Sequence, residues 1–375
     1  MRTPGLNDVS THSLISTTAS CPKFARDNAF QIELRRRVDE YFERTGRRRR
    51  DVPQMYVKTG ILLSAFTVLY VLLVMVVNVW WIALPVAALL GLTVAGIGLN
   101  VQHDGGHQAY SSRPWVNRVM AMTLDLIGGS SYIWHIKHVF YHHTYVNITG
   151  VDTDIDLGGL ARVTPEQRRH RFHRWQHFYI WPLYGFMAMK WQIYDDFKDM
   201  IRGEMGGHKF PRAKGWDLAT FLIGKAVFFS LAFGIPMLFH PWWIVLLYYA
   251  FAAAIVGVVL SVVFQLAHCV EDAEFPMPAE GTARMEHAWA IHQVETTVDF
   301  ARRSRVVTWL LGGLNYQIEH HLLPRICHVN FPALSKIVED LCQKYGVKFN
   351  EHPTVRAGIA SHFRWLRQMG MPNPA

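Results

Sequence analysis

The chain is poor in cysteine. Its four cysteines, Cys21, Cys269, Cys327 and Cys342, form no CxxC pair, which excludes a disulfide framework and a zinc knuckle. Reduced thiols in a cytosol-facing protein are the simplest reading. Residues 1–20, MRTPGLNDVSTHSLISTTAS, lack a continuous apolar core and do not read as a secretory signal peptide. Low-complexity tracts are also missing. Charge is scarce in a selective way. Of 375 residues 18% are charged and 50% hydrophobic, so distribution along the chain, and not bulk composition, decides the class. From Gly60 to Leu99 no charged residue occurs.

That uncharged stretch is long enough for two crossings of a hydrocarbon layer, each of which needs about 20 apolar residues. Residues 60–77 and 80–100 are expected to form one hairpin that turns near Asn78. Residues 217–239 and 242–267 are expected to form a second, turning at His240–Pro241. Lys225 interrupts the third span and is expected to snorkel toward an interface. Trp80, Trp81, Trp242 and Trp243 sit at the two turns, where amphipathic rings favour the membrane boundary. Residues 119–133 are too short and Gly/Ser-rich for a span, and 175–193 are broken by Pro182. Both read as interfacial or re-entrant pieces.

The formal charge is +9, compatible with nucleic acid, anionic lipid or a phosphate-bearing substrate. The basic runs decide between them. RRR at 35–37, RRRR at 47–50, RRHRFHR at 168–174 and RRSR at 302–305 flank the spans, while both turns lack Lys and Arg. The positive-inside rule puts these runs and both termini in the cytosol. Nucleic-acid binding has no fold to support it here. The expected organisation is a basic N-terminal segment over 1–55, a membrane domain over 56–350 and a cytosolic tail over 351–375. Phe30, Leu34, Val38 and Tyr41 mark an amphipathic helix over 28–44. Leu334, Ile337, Val338 and Leu341 mark another, with Asn330 as a cap and Pro332 in its first turn.

Histidine is the unusual abundance, with 20 copies. NVQHDGGHQ follows the second span and sets His103 and His107 four apart, hence on one face of a continuing helix. WHIKHVFYHHTYVN supplies His138, His142 and His143, the last turned about 100° from its neighbour on a 3.6-residue helix. NYQIEHHLLP supplies Gln317, His320 and His321, and His268 ends the fourth span. All lie on the cytosolic side of the expected topology. This set exceeds what one ion can use and suits two. Imidazole favours Zn, Cu, Fe and Ni, and with no cysteines at zinc-site spacing a closed structural zinc site is disfavoured. Asp104, Asp152, Asp154, Glu271 and Glu319 are candidates to orient the rings, and Asn147 to fix a ring or a water. For His135, His170, His173, His177, His287 and His328 an ordinary polar role is the simpler reading; for His292 the two readings balance. The expected fold is an all-α membrane protein, with four transmembrane helices in two hairpins and a cytosolic helical cap that holds a histidine-rich di-metal site.

HDGGH, HVFYHH and QIEHH, in that order among four apolar spans, resemble the membrane fatty acid desaturases over roughly residues 55–350. Glutamine as the first member of the third box is similar to the front-end subgroup, which inserts a double bond between an existing one and the carboxyl end. LNYQIEHHLLPRICHVNFPAL looks like linoleoyl-CoA-type members. The resemblance implies two iron ions held by His103, His107, His138, His142, His143, His268, His320 and His321, with Gln317 as a ligand or holding a ligand water. It implies O2 as co-substrate and a fatty acyl-CoA or acyl-lipid substrate. Many eukaryotic members begin with a cytochrome-b5-type domain; no HPGG motif occurs here, so electrons are expected from a separate ferredoxin or cytochrome with its reductase. Arg302, Arg303 and Arg305 are candidates for a substrate headgroup.

Acid–base side chains alone do not dehydrogenate an unactivated methylene pair, so a redox cofactor must act. The same boxes also suit a fatty acyl hydroxylase or a sphingolipid desaturase. A non-enzymatic membrane metal-binding protein would instead need polar groups at mid-span, which the spans largely lack.

Overall fold

The computed structural model describes residues 21–372. Residues 1–20, read above as lacking a signal peptide, and the end of the C-terminal tail lie outside the described residues.

Helix α1 (Ala29–Thr45) buries Phe30, Leu34, Val38 and Phe42. Phe42 completes the fully buried stripe, Tyr41 packs half-buried beside it, and the stripe packs on protein. Four long apolar helices follow the expected spans closely: α2 (Pro53–Val76), α3 (Trp80–Gly106), and later α6 (Gly215–Leu238) and α7 (Trp242–His268). Between the hairpins lie α4 (Pro114–Ala121) and α5 (Gln176–Lys190). Neither is among the membrane-length helices, and α5 runs unbroken through Pro182. After α7 come α8 (Trp289–Glu295), α9 (Arg305–Leu310), α10 (Gln317–Leu322), α11 (Phe331–Tyr345) and α12 (Val355–Gly370). Among the described residues strands are two to five residues long and pair only as two-stranded ribbons.

The hairpin turns share one end of the bundle, since His240 Nε2 lies 2.8 Å from the Val74 carbonyl oxygen. The exposed Trp80, Trp81, Trp242 and Trp243 ring that end. Helix α7 is the central post, packed on α3 and α5. A Cβ at Gly257 would stand 2.4 Å from the Tyr184 carbonyl oxygen, so α5 reaches α7 only because that position has no side chain.

The cap is built on the opposite end. Leu34, Val38, Leu334, Val338 and Leu341 form one core between α1 and α11. Asn330 precedes α11 as expected, but its side chain does not cap the helix; its amide donates to the Arg48 carbonyl at 3.1 Å. The region read as a tail is largely helical. In α12, Leu366 accepts a hydrogen bond from Gln176 Nε2 at 2.7 Å, and Tyr184 meets His362 Nε2 at 2.7 Å. The expected boundary at 350 therefore falls inside packed structure.

Lys225 corrects an expectation. It does not snorkel but is 5% exposed, donating to Asp196 Oδ2 at 2.8 Å and to the carbonyls of Gly128 and Gln192 at 2.7 and 3.0 Å. This clamps the Ile127–Gly129 turn into the bundle. Stripping one partner from a buried ion pair costs about 3–5 kcal/mol, whereas replacing both by apolar groups is often neutral. Lys225→Met is therefore expected to lower the melting temperature in detergent sharply, and Lys225→Met/Asp196→Leu to recover much of the loss. A double variant no more stable than the single one would contradict this reading.

Candidate metal centre

Helix α3 widens into π-type turns over Ile97–Gln102 and then delivers His103. The second box is wound the same way, over His135–His142. Such turns are rare and concentrate at functional sites. Wider winding brings residues four apart more nearly into register than a 3.6-residue turn does, so the His138 and His142 rings stack at 5.0 Å and 23°. His143 departs at 87° to His142. Gly106 explains part of the first box: a Cβ there would lie 2.2 Å from the Trp134 ring. That ring stacks on His138 at 4.7 Å and meets His103 and His107 edge-on at 5.7 and 5.4 Å.

All eight box and span-end histidines converge. His103, His107, His138 and His320 form one group, and His142, His268 and His321 a second; within each, one ring nitrogen per residue lies within 4.8 Å of the others. His143 bridges them, grouping with His320 and His321 and stacking on His321 at 4.2 Å. The adjacent His320 and His321 thus serve different groups. Gln317 is buried at the start of α10 with its Oε1 unpartnered.

The ring nitrogens carry the chemistry. Seven of these eight histidines, all but His103, have at least one buried ring nitrogen with no hydrogen-bond partner. Three have the other nitrogen engaged: His138 Nδ1 with Asp154 Oδ2, His142 Nδ1 with Asp152 Oδ2 and His321 Nδ1 with Gln293 Oε1, each at 2.9 Å. That is the arrangement that fixes a ligating tautomer and aims Nε2 inward. The donor set, all imidazole with one amide oxygen, fits transition-metal ions. Burial and then the neighbouring imidazoles hold His107, His143, His320 and His321 well below the ordinary histidine pKa. Burial also lowers His138, against the pull of Asp154. At His142 burial is outweighed by Asp152, and the ring is raised. Most of the set is thus held neutral, the form that can ligate.

The five flagged acids divide. Asp152 and Asp154 back ring nitrogens. Asp104 instead accepts from His328 Nδ1 at 2.9 Å. Glu319 is buried against the carboxyl of Asp299, and Glu271 pairs with Arg364 at 2.6 Å. Asn147, at a left-handed φ of 59°, links the His268 carbonyl (3.0 Å) to Asp152, to which its N–H donates at 2.9 Å. His292 directs Nε2 at the Val146 carbonyl, 2.9 Å away, and joins neither group. Among the described residues His135, His170, His173, His177 and His287 also stay outside such groups. His328 joins a separate buried trio with Asp104 and Cys327. Gln293 escaped sequence reasoning because a lone glutamine carries no spacing signal. Arg302 is bound to Glu351 and to Ser335, Glu339 and the α11 surface, which removes it as a headgroup ligand; Arg303 and Arg305 are exposed.

Fold and site define a four-span membrane protein with a buried, metal-binding histidine vault. The chain belongs to the fatty acid desaturase family, whose model matches residues 78–353. It is 38% identical over 354 residues to the sn-1 linoleoyl-lipid 6-desaturase of Synechocystis sp., covering 94% of this chain and 99% of that one. It is 37% identical to the protein of the same name from Arthrospira platensis, covering 96% and 97%. Against the acyl-lipid (8-3)-desaturase of Physcomitrium patens identity is 33%, covering 92% and 73%. The chain is therefore an oxidoreductase of lipid metabolism.

A ring held neutral in the fold takes its proton only on unfolding. Below the ordinary histidine value of 6.5 the unfolded chain then binds more protons, and stability falls with pH. Within the vault His142 opposes this, and outside it so do the buried carboxyls of Asp125 and Asp196, both raised by burial to about 6. Metal-free protein in detergent is expected to melt at a lower temperature at about pH 5.5 than at about pH 7.5; an equal or higher melting temperature in acid would contradict the neutral-vault reading.

Proposed function

We propose that this protein is a front-end acyl-lipid desaturase that uses two iron ions, O2 and electrons from a separate donor to insert a double bond near the carboxyl end of a lipid-borne acyl chain. The observation that carries the reading is the pair of histidine groups with inward, unpartnered nitrogens. His103, His107, His138 and His320 are proposed to hold one ion; His142, His268 and His321 the other; and His143 to stand between them. Gln317 completes the set as a ligand or by holding a ligand water. Iron, when bound, supplies the redox chemistry that an unactivated C–H bond demands.

The chain's own contribution is positioning. Asp152, Asp154 and Gln293 hold His142, His138 and His321 in one tautomer and orientation. Trp134 packs against three rings of the first group, His103, His107 and His138. Position alone decides which carbons react. Relatives named for linoleoyl-lipid and acyl-lipid substrates favour a glycerolipid over a CoA thioester, and glutamine in the third box favours the front-end outcome. The flanking arginine runs favour a cytosolic site with cytosolic termini, open to a ferredoxin or cytochrome donor with its reductase. All histidine groups sit at one end of the spans, which disfavours a metal transporter.

Expression in a host supplied with defined polyunsaturated acids tests the activity. Gas chromatography is expected to show a new double bond on the carboxyl side of an existing one; a hydroxylated product, formed with a competent donor present, overturns the reading. His142→Ala and His321→Ala are each expected to lower bound iron and abolish turnover. Full iron content in both variants would refute the ligand set.

A further inference from the structure

We propose that a basic notch at the start of α2 binds the phosphate of a glycerophospholipid and thereby sets which acyl carbons meet the histidine vault. This rests on the desaturase reading and adds its substrate carrier and its positional ruler.

The notch is an open hollow of about 410 Å³ lined by Arg48, Arg49, Arg50, Asp51 and Ser112. Its one acid offsets only part of that charge. The Asp51 carboxylate accepts from Ser111 Oγ, from the Ser112 N–H at 2.8 Å and from Tyr56 Oη at 2.9 Å. Arg49 pairs with Asp39 at 2.6 Å. Among the described residues, Arg48 and Arg50 have no carboxylate within 4.0 Å, nor do the neighbouring Arg113 and Arg325. Asp51 is the single carboxylate lining the hollow, so positive charge remains in excess there, and an anion relieves the repulsion. Arginine's planar fork suits phosphate oxygens in particular.

The notch is also built and not merely a run of surface arginines. Arg50 Nε donates to the Arg325 carbonyl at 3.0 Å, the Cys327 N–H donates to the Arg49 carbonyl at 2.9 Å, and Asn330 holds the Arg48 carbonyl. The basic loop is therefore pinned to the segment that follows the third histidine box. Tyr56, Val57 and Trp115 stand exposed beside it, an interfacial set that puts the notch at headgroup depth.

Connectivity supplies the ruler. Arg325 follows His321 by four residues and Ser112 follows His107 by five. An extended chain spans at most about 3.6 Å per residue, so these backbones lie within roughly 14 and 18 Å of the two histidines. A front-end enzyme oxidises carbons a few bonds from the ester. Its headgroup must then rest close to the metals, and this net-cationic hollow lies within that reach.

Native mass spectrometry of the purified holoenzyme in neutral detergent tests the site, with dilinoleoyl phosphatidylglycerol and dilinoleoylglycerol as probes. The wild type is expected to bind the phospholipid at least tenfold more tightly. Arg50→Gln/Arg325→Gln is expected to erase that preference with metal content intact, and Arg50→Lys/Arg325→Lys to keep part of it. Arg48→Gln/Arg113→Gln, at exposed positions, repeats the test should the first pair misfold. Equal binding of both lipids by the wild type, a preference that survives both Gln pairs, or tighter binding of linoleoyl-CoA than of phospholipid would overturn the proposal. Failure of the wild type to desaturate any lipid in cells would instead overturn the desaturase reading, whatever the binding result.

Discussion

A buried imidazole nitrogen without a partner is costly, and this fold gathers them. A buried, unsatisfied polar group costs about 1–3 kcal/mol. Seven histidines in that condition cost on the order of 10 kcal/mol, comparable with the whole stability of an ordinary domain. Metal ions shared among these nitrogens would relieve that load. The vault is thus the constraint to which the rest of the architecture answers.

The two hairpins answer it by geometry. Helices α3 and α7 each run past the bilayer length and present His103 and His268 at one end of the bundle. The segment after α4 brings the second box, and α10 brings the third. Asn147 joins the end of α7 to the carboxylate behind His142, so the second group is braced from two elements at once. Trp134, seated against Gly106, does the same for the first group. The clamp at Lys225 fixes the Ile127–Gly129 turn beneath them.

Much of this was legible in the sequence, for reasons that can be named. Uncharged length reveals a span, and a doublet of histidines at helical spacing reveals a ligand-bearing turn. The four spans and the convergence of the three boxes follow from those two signals. What escaped depends on contacts between distant segments. Gln293 orients His321 across 28 residues, and Asp196 neutralises Lys225 across 29; neither pair has a local pattern. Asp104, beside His103 in the sequence, turns to His328 instead. The π-type winding of the second box was also invisible, since its residues suit an ordinary helix equally well. Helix α12 was read only as part of a tail, because whether a terminal segment docks depends on partners such as Gln176 and Tyr184 far away in the sequence.

The most direct test of the central claim is anomalous X-ray diffraction from crystals of the iron-loaded protein, recorded across the iron edge. Two peaks per chain are expected, one amid His103, His107, His138 and His320 and the other amid His142, His268 and His321. A single peak, or iron bound away from these rings, would contradict the account.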